Sequence, residues 1–133
     1  MSDFPIILYI EDNLNSRRLV ERVLTAYHFV VHTVPDGEAG FQFLEKLTPD
    51  LILLDINLPR MDGYAIAKRL RQREQLATTP IIALTANVMQ QDRVKSLAAG
   101  CNGFIEKPID VDSLADEIRS YLNSTRNVSH GKE

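Results

Sequence analysis

The sequence predicts a single α/β domain built on an open, mostly parallel sheet of five strands with helices on both faces. Apolar runs of strand length alternate with stretches in which apolar residues recur at the i, i+3, i+4 spacing of a helix buried on one face. One run, at 51–54, is apolar throughout, as expected for a strand covered on both sides. The chain has 133 residues, about half of what a closed eight-stranded barrel needs, so the sheet is expected to be open.

Five strands, each followed by a helix, make up the predicted (βα)₅ pattern. The strand-length runs lie at 6–10, 29–34, 51–56, 80–86 and 103–106. The helices are identified by apolar stripes that are expected to face the sheet. These stripes contain Leu19, Val20, Val23, Leu24 and Tyr27 in the first helix, Phe43, Leu44 and Leu47 in the second, Ile66, Ala67 and Leu70 in the third, Val94, Leu97 and Ala98 in the fourth, and Leu114, Ala115, Ile118, Tyr121 and Leu122 in the fifth.

Aspartate and glycine residues mark the expected helix boundaries. An aspartate precedes three of the helices as a predicted N-cap, and a glycine follows the fourth stripe as a predicted helix stop. The domain is predicted to occupy residues 4–123, followed by a polar tail at 124–133 that has no stripe and is expected to fray. The predicted caps are Asp36, Asp62 and Asp110, and the predicted stop is Gly100.

The composition excludes several classes of protein. Hydrophobic residues make up 44% and charged residues 25% of the chain, which is typical of a folded domain and not of a disordered one. A net charge of −3 gives no general attraction to nucleic acid or to anionic membranes. The basic run at 68–73 is interpreted as cations at the C-terminal end of a helix. The single cysteine, Cys101, cannot form an internal disulfide, so the reducing cytoplasm is expected. No histidine lies near it in sequence, which favours a packing role over that of a nucleophile.

Polar side chains follow four of the five predicted strands at their carboxyl ends. In an open parallel sheet the ligand site lies beyond these ends. Carboxylates, an amide, a hydroxyl and an ammonium are therefore expected to meet at one edge of the sheet. They belong to Glu11 and Asp12 after the first strand, Asp55 and Asn57 at the third, Thr85 at the fourth and Lys107 after the fifth.

This set of side chains points to a metal and to phosphoryl chemistry. Carboxylates that lie close together repel one another unless a cation neutralises them. Oxygen ligands without a cluster of cysteine or histidine favour a hard ion, Mg²⁺ before Zn²⁺. A carboxylate beside Mg²⁺, with a lysine and a hydroxyl nearby, suits in-line phosphoryl transfer to that carboxylate. Asp55 is then the nucleophile, and Lys107 and the metal balance charge on the phosphoryl oxygens.

Four segments closely resemble bacterial two-component response-regulator receiver domains of the CheY-like type. They are LYIEDN at 8–13, DINLPRMDG at 55–63, ALTA at 83–86 and FIEKP at 104–108. They occur in the family's order, and the resemblance extends over residues 6–122, nearly the whole chain. It implies a flavodoxin-like fold with strand order 2-1-3-4-5 and a cis peptide bond between Lys107 and Pro108.

The resemblance also implies roles for the three acidic residues at the strand ends and for Asn57. Asp55 matches the phosphoacceptor, which takes a phosphoryl group from a phosphohistidine on a sensor histidine kinase or a histidine phosphotransfer protein. Asp12 and Asp55 match the direct Mg²⁺ ligands, with the backbone carbonyl of Asn57 as a third. Glu11, which stands where aspartate is more frequent, is implied to act mainly through a metal-bound water.

Three further residues match the catalytic and switch positions of the family. Lys107 is implied to pair with a phosphoryl oxygen, and the hydroxyl of Thr85 to move towards another. Phe104 matches the aromatic residue that turns inward when the threonine moves. A tyrosine is more frequent at this position, so a switch built on Phe104 is expected to work by packing alone.

The sequence is therefore interpreted as a stand-alone, cytoplasmic receiver that accepts a phosphoryl group with Mg²⁺ and signals by binding a downstream protein. It is expected to be no enzyme beyond its own phosphorylation and slow dephosphorylation, and to contact neither nucleic acid nor membrane directly. The expected output face is the fourth helix, fifth strand and fifth helix. The alternatives are a receiver fragment of a larger regulator or hybrid kinase, and a pseudo-receiver that binds partners without phosphorylation. An enzyme acting on an external phosphorylated substrate would need a substrate pocket and a general acid placed for turnover, and no second polar cluster in the sequence supplies one.

Overall fold

The computed structural model describes residues 4–58, 62–86 and 90–130 of the chain, and within them strands alternate with helices as predicted. A short 3₁₀ helix, Glu74–Leu76, follows the third α-helix. The strands and α-helices in chain order are β1 (Ile6–Ile10), α1 (Leu14–Ala26), β2 (Val30–Val34), α2 (Gly37–Leu44), β3 (Leu51–Asp55), α3 (Gly63–Arg71), β4 (Ile81–Thr85), α4 (Gln90–Ala98), β5 (Gly103–Glu106) and α5 (Leu114–His130).

The five strands form one parallel sheet in the order β2-β1-β3-β4-β5, which confirms the implied topology. β1 and β5 have the predicted bounds, and the other strands begin or end one residue inside the predicted runs. Asp55 pairs with Leu84, and Thr85 pairs with Glu106, so neighbouring strands end at nearly the same level. This register brings the residues at the strand ends to one edge of the sheet. The peptide bond between Lys107 and Pro108 is cis.

Helices cover both faces of the sheet, and each face has its own apolar cluster. Successive strand residues point to opposite faces, so Leu8 packs in one cluster and Ile7 in the other. Every residue of β3 is buried, as its continuous apolar run predicts. The first cluster includes Leu8, Ile10, Ile52, Leu54, Ile66 and Leu70, and the second includes Ile7, Tyr9, Leu51, Leu53, Val20, Leu24 and Ile118.

The predicted stripe of α4 is wrong as a description of its buried face. Val94 and Leu97 are 59% and 61% exposed, whereas Ser96 and Ala99 are buried. Both pairs are three residues apart, so both satisfy helical spacing. The small side chains of Ser96 and Ala99 allow the helix to approach the core closely, and this leaves the larger apolar residues on the outer face.

The other stripes are confirmed to different extents. In α3 and α5 the predicted face is buried, apart from the partly buried Tyr121. In α1 only the central residues Val20 and Leu24 are fully buried, and Leu19 and Tyr27 at the edges of the stripe are exposed. Leu47 lies beyond the end of α2 and is also exposed.

Two of the three predicted N-caps and the predicted helix stop are confirmed. The side chains of Asp36 and Asp62 accept hydrogen bonds from the backbone N–H groups of Ala39 and Tyr64. Gly100, with φ of 102°, ends α4 in the left-handed conformation that glycine adopts at little cost. The N-cap prediction for Asp110 is wrong: its carboxylate accepts from the N–H of Asp112, within the turn before α5.

The fifth helix is longer than predicted. Its backbone continues to His130, so most of the segment predicted as a fraying tail is helical. The domain limit at residue 123 remains a prediction. Within the described residues, no helix has the length and apolar character needed to cross a membrane.

Candidate functional site

Four strands deliver polar residues to the carboxyl edge of the sheet, as the sequence predicts. Asp55 and Thr85 are the last residues of β3 and β4, while Glu11 and Lys107 directly follow β1 and β5. Backbone hydrogen bonds hold the two following residues in line. The N–H of Glu11 donates to the carbonyl of Val34, and the N–H of Lys107 donates to that of Thr85. The sheet thus fixes where these side chains start.

Three carboxylates form the centre of this edge. Glu11, Asp12 and Asp55 each offer an oxygen, and these oxygens all lie within 4.8 Å of one another. Glu11 and Asp55 are each 2% exposed, whereas Asp12 is exposed to solvent. An all-oxygen donor set with one solvent-facing side fits a hard cation that keeps part of its hydration shell, as Mg²⁺ does. These three residues could hold such an ion.

Lys107 supplies a positive charge next to the two buried carboxylates. Its Nζ lies 3.1 Å from Oδ2 of Asp55 and 3.5 Å from Oε1 of Glu11, and its side chain is 28% exposed. The other oxygen of Asp55, Oδ1, accepts from the N–H of Asn57 at 2.9 Å. A backbone N–H therefore holds Oδ1 of Asp55, and Oδ2 faces the ammonium of Lys107.

The buried Glu11 carboxyl is held by contacts that the sequence did not predict. Its Oε2 accepts from the N–H of Asn13 at 3.1 Å, and its Oε1 accepts from the hydroxyl of Tyr9 at 3.0 Å. Arg17 donates to the backbone carbonyl of Glu11 at 2.7 Å. Burial raises the pKa of Glu11 above its ordinary value, the Asn13 N–H opposes this, and the neighbouring Asp55 raises the pKa further. The same burial, together with Glu11, raises the pKa of the Tyr9 hydroxyl.

The remaining predicted site residues are Thr85, Asn57 and Phe104, and their roles remain predictions. Thr85 is buried at the end of β4, and Asn57 is exposed two residues after Asp55. Phe104 is partly buried against the first apolar cluster, and the guanidinium of Arg93 in α4 lies 4.9 Å from the centre of its ring. The structure therefore connects the predicted switch residue to α4 through a cation–π contact.

The basic run at the end of α3 has structural contacts. Arg69 lies 4.2 Å from the centre of the Phe41 ring. Arg71 donates to the carbonyls of Gly100 and Leu76 and to the side chain of Asn102. These contacts agree with the interpretation of the run as part of a helix end.

Cys101 is buried, which agrees with its predicted packing role. Burial raises the pKa of its thiol to about 11, so the neutral form is favoured in the folded protein. At pH 8 we expect its reaction with a disulfide reagent such as DTNB to be about a hundredfold slower than in the guanidinium-unfolded chain. As this is the single cysteine of the chain, the absorbance trace reports on it alone. A native rate within about threefold of the unfolded rate would contradict this prediction.

Known proteins with similar sequences and structures carry the same domain. Residues 7–119 match the model of the response regulator receiver domain. The chain is 38% identical over 129 residues to the transcriptional regulatory protein HprR of Escherichia coli, covering 92% of this chain and 56% of that protein. It is 37% identical over 118 residues to the hybrid signal transduction histidine kinase D of Dictyostelium discoideum, covering 89% of this chain and 8% of that protein. The chain thus spans only part of these curated relatives.

Solved structures agree with this match. The chemotaxis protein CheY4 of Vibrio cholerae superposes with a TM-score of 0.85 at 26% identity, covering 89% of this chain and 98% of that one. The receiver domain of the sensor histidine kinase PA1611 of Pseudomonas aeruginosa, determined with a magnesium ion in its active site cleft, gives 0.81 at 34% identity over 90% and 98% of the two chains. The present chain belongs to the response regulator receiver domain family, the signalling module of two-component systems.

Proposed function

We propose that this receiver is a Mg²⁺-dependent switch that accepts a phosphoryl group from a phosphohistidine onto Asp55. The observation that carries the proposal is the position of Asp55, whose Oδ2 lies 3.1 Å from Lys107 Nζ and which shares the edge of the sheet with Glu11 and Asp12. In the transfer, the bond between phosphorus and the histidine nitrogen breaks, and a bond forms between phosphorus and a carboxylate oxygen of Asp55. Later attack by water on the acyl phosphate releases inorganic phosphate and restores Asp55.

The residues that would hold Mg²⁺ are Asp12 and Asp55, with the backbone carbonyl of Asn57, and Glu11 close by. When bound, the ion would supply positive charge that stabilises the negative charge of the phosphoryl group. Lys107 supplies the second positive charge, because its ammonium can pass from the carboxylate of Asp55 to an oxygen of the phosphoryl group. Its partly exposed stem gives it the freedom to do so.

We propose that the output is a change in binding to a downstream protein through the surface formed by α4, β5 and α5. The hydroxyl of Thr85 would move towards the phosphoryl group, and Phe104 would follow by repacking. The exposed apolar residues Val94 and Leu97 on α4 support this assignment, because a helix that carries them outward offers apolar area to a partner. The phosphoryl donor is proposed to be a sensor histidine kinase or a histidine phosphotransfer protein. The receiver is proposed to bind this donor in the cytoplasm.

The switch is proposed to act as a stand-alone module, without direct contact to nucleic acid or membrane. The greater length of HprR and of histidine kinase D supports the alternative that this receiver is one part of a larger regulator or hybrid kinase. An immunoblot of the source cells with an antibody against the domain distinguishes the stand-alone module from the larger regulator. Only the larger regulator gives a band at a higher mass than a chain of 133 residues.

Intact mass spectrometry after incubation with acetyl phosphate tests the proposed chemistry. We expect one phosphoryl adduct on the wild type in the presence of Mg²⁺, and none after chelation or in Asp55→Asn. Asp116→Asn, which changes an exposed acid on α5, is the matched control and should give the wild-type adduct. An adduct on Asp55→Asn would contradict the assignment of Asp55. The absence of an adduct on a folded wild type that binds Mg²⁺ would favour a pseudo-receiver.

A further inference from the structure

Tyr9 places a phenol hydroxyl inside an otherwise aliphatic strand. Its neighbours in β1 are isoleucine and leucine, and its side chain is fully buried in the second apolar cluster. Tyr9 and Glu11 are two residues apart in an extended segment, so their side chains lie on the same side of the chain. The Tyr9 hydroxyl donates to Oε1 of Glu11 at 3.0 Å. We call the three carboxylates of Glu11, Asp12 and Asp55 the acidic centre. The Tyr9 hydroxyl thus reaches this centre from the core side, away from solvent.

The two oxygens of Glu11 have different partners. Oε2 accepts from the backbone N–H of Asn13, whereas Oε1 faces both the Tyr9 hydroxyl and, at 3.5 Å, the ammonium of Lys107. The same ammonium lies 3.1 Å from Oδ2 of Asp55. If the hydroxyl is removed, Oε1 keeps the ammonium as its nearest partner among these contacts. Glu11 would then be drawn towards Lys107, and the ammonium would be shared more evenly between the two carboxylates.

We propose that Tyr9 is a positioning residue of the acidic centre. The Tyr9 hydroxyl holds the Glu11 carboxylate so that an oxygen of Glu11 lies within 4.8 Å of oxygens of Asp12 and Asp55. With Glu11 held in this way, the Lys107 ammonium remains paired mainly with Asp55. This inference rests on the proposed function, because the centre is taken to be a Mg²⁺ site. Groups that orient residues around a metal commonly change its affinity without touching it.

A purely structural role for the hydroxyl makes a different prediction. A buried hydroxyl needs a hydrogen-bond partner in any case, and Glu11 would simply provide one. Removing the hydroxyl would then alter stability and leave the affinity for Mg²⁺ unchanged. The two roles are therefore separated by ion binding, which can be measured on the unphosphorylated protein.

Calorimetric titration of MgCl₂ into the wild type, Tyr9→Phe and Tyr27→Phe tests the inference. Tyr9→Phe deletes one oxygen and keeps the ring, and we expect it to weaken Mg²⁺ binding by about tenfold. Tyr27→Phe deletes the same atom from an exposed ring at the end of α1 and should bind as the wild type does. Thermal unfolding of each variant establishes that the titrated protein is folded. A Tyr9→Phe affinity equal to that of the wild type would overturn the inference and leave the proposed function intact.

A second background shows whether the hydroxyl acts through Glu11. Glu11→Asp keeps the charge but shortens the side chain, which takes the carboxylate out of reach of the Tyr9 hydroxyl. In this background we expect Tyr9→Phe to change the Mg²⁺ affinity by less than about twofold. The change in packing is the same in both backgrounds, so an equal loss in both would overturn the inference. A folded wild type that does not bind Mg²⁺ would overturn the proposed metal site and this inference together.

Discussion

Replacing Lys107 with methionine is expected to slow phosphoryl transfer from acetyl phosphate to Asp55 by about a hundredfold. Methionine keeps much of the length and apolar character of the lysine stem and removes the charge. The ammonium lies 3.1 Å from Oδ2 of Asp55, so it is already placed where negative charge collects as the phosphoryl group arrives. The rate of adduct formation, followed by intact mass at saturating Mg²⁺, measures the effect.

The same substitution is expected to destabilise the fold. Without Lys107, the buried carboxylates of Glu11 and Asp55 face each other with no side-chain cation between them in the described part of the structure. Removing one partner from a buried ion pair costs about 3–5 kcal/mol, and the partial exposure of the lysine reduces this to about 2 kcal/mol in the free energy of unfolding. Added Mg²⁺ is expected to restore part of this stability, because the ion would bind the folded form.

The two effects of Lys107→Met can be separated from each other. At saturating Mg²⁺, where part of the stability is restored, the slow transfer is expected to persist, because the ion does not replace the ammonium. Lys68→Met, at an exposed position of α3, is the matched control and should change neither quantity. A transfer rate for Lys107→Met within about threefold of the wild type would remove Lys107 from the proposed chemistry.

The sheet and its carboxyl edge could be predicted because they depend on few and local signals. A run such as Leu51–Asp55 is buried on both faces, so its apolar character needs no partner to be recognised. Parallel connections then bring the ends of the strands together regardless of the details of packing. This is why Asp55 and Lys107, far apart in sequence, could be expected at one place, where the structure brings them within 3.1 Å.

Other features of the fold and the site depend on tertiary contacts, which the periodicity of the sequence does not predict. In α4, Val94 and Leu97 have the same spacing as Ser96 and Ala99, and the close approach of the helix to the core selects the smaller pair for burial. The hydrogen bond from Tyr9 to Glu11 was missed, since tyrosine in a strand is ordinarily a packing residue. One signal could have indicated it: a phenol in a fully buried strand needs a partner for its hydroxyl, and the nearest acid on the same side lies two residues on.

Gly63→Ala is expected to lower the free energy of unfolding by about 3 kcal/mol. Gly63 is the first residue of α3, after its N-cap, and its N–H donates to the carbonyl of Ile56 at 3.3 Å. A Cβ at this position would lie 2.7 Å from that carbonyl oxygen and 2.9 Å from its carbon. These are backbone atoms of the segment that leaves β3, so the clash cannot be relieved by rotating a side chain. Either α3 or the chain after Asp55 has to move.

The movement that accommodates Gly63→Ala is also expected to reach the functional site. Ile56 lies between Asp55 and Asn57, so a shift of its backbone weakens the 2.9 Å hydrogen bond from the Asn57 N–H to Oδ1 of Asp55. Chemical denaturation measures the loss of stability, and Mg²⁺ titration of the folded variant measures the effect on the site. The matched control is Gly40→Ala in α2, whose nearest contact, at 3.0 Å, is the Cδ1 end of a flexible Ile10 side chain.

Gly40→Ala is expected to change stability by less than about 1 kcal/mol, because alanine's higher helix propensity offsets the crowding. The same addition of one methyl group should thus give very different results at the two glycines, according to whether backbone or a side-chain end stands in its way. If Gly63→Ala proved as stable as Gly40→Ala, the backbone of α3 or of the segment after β3 could move at little cost to make room for the methyl group. Asp55 would then owe its position to the sheet alone.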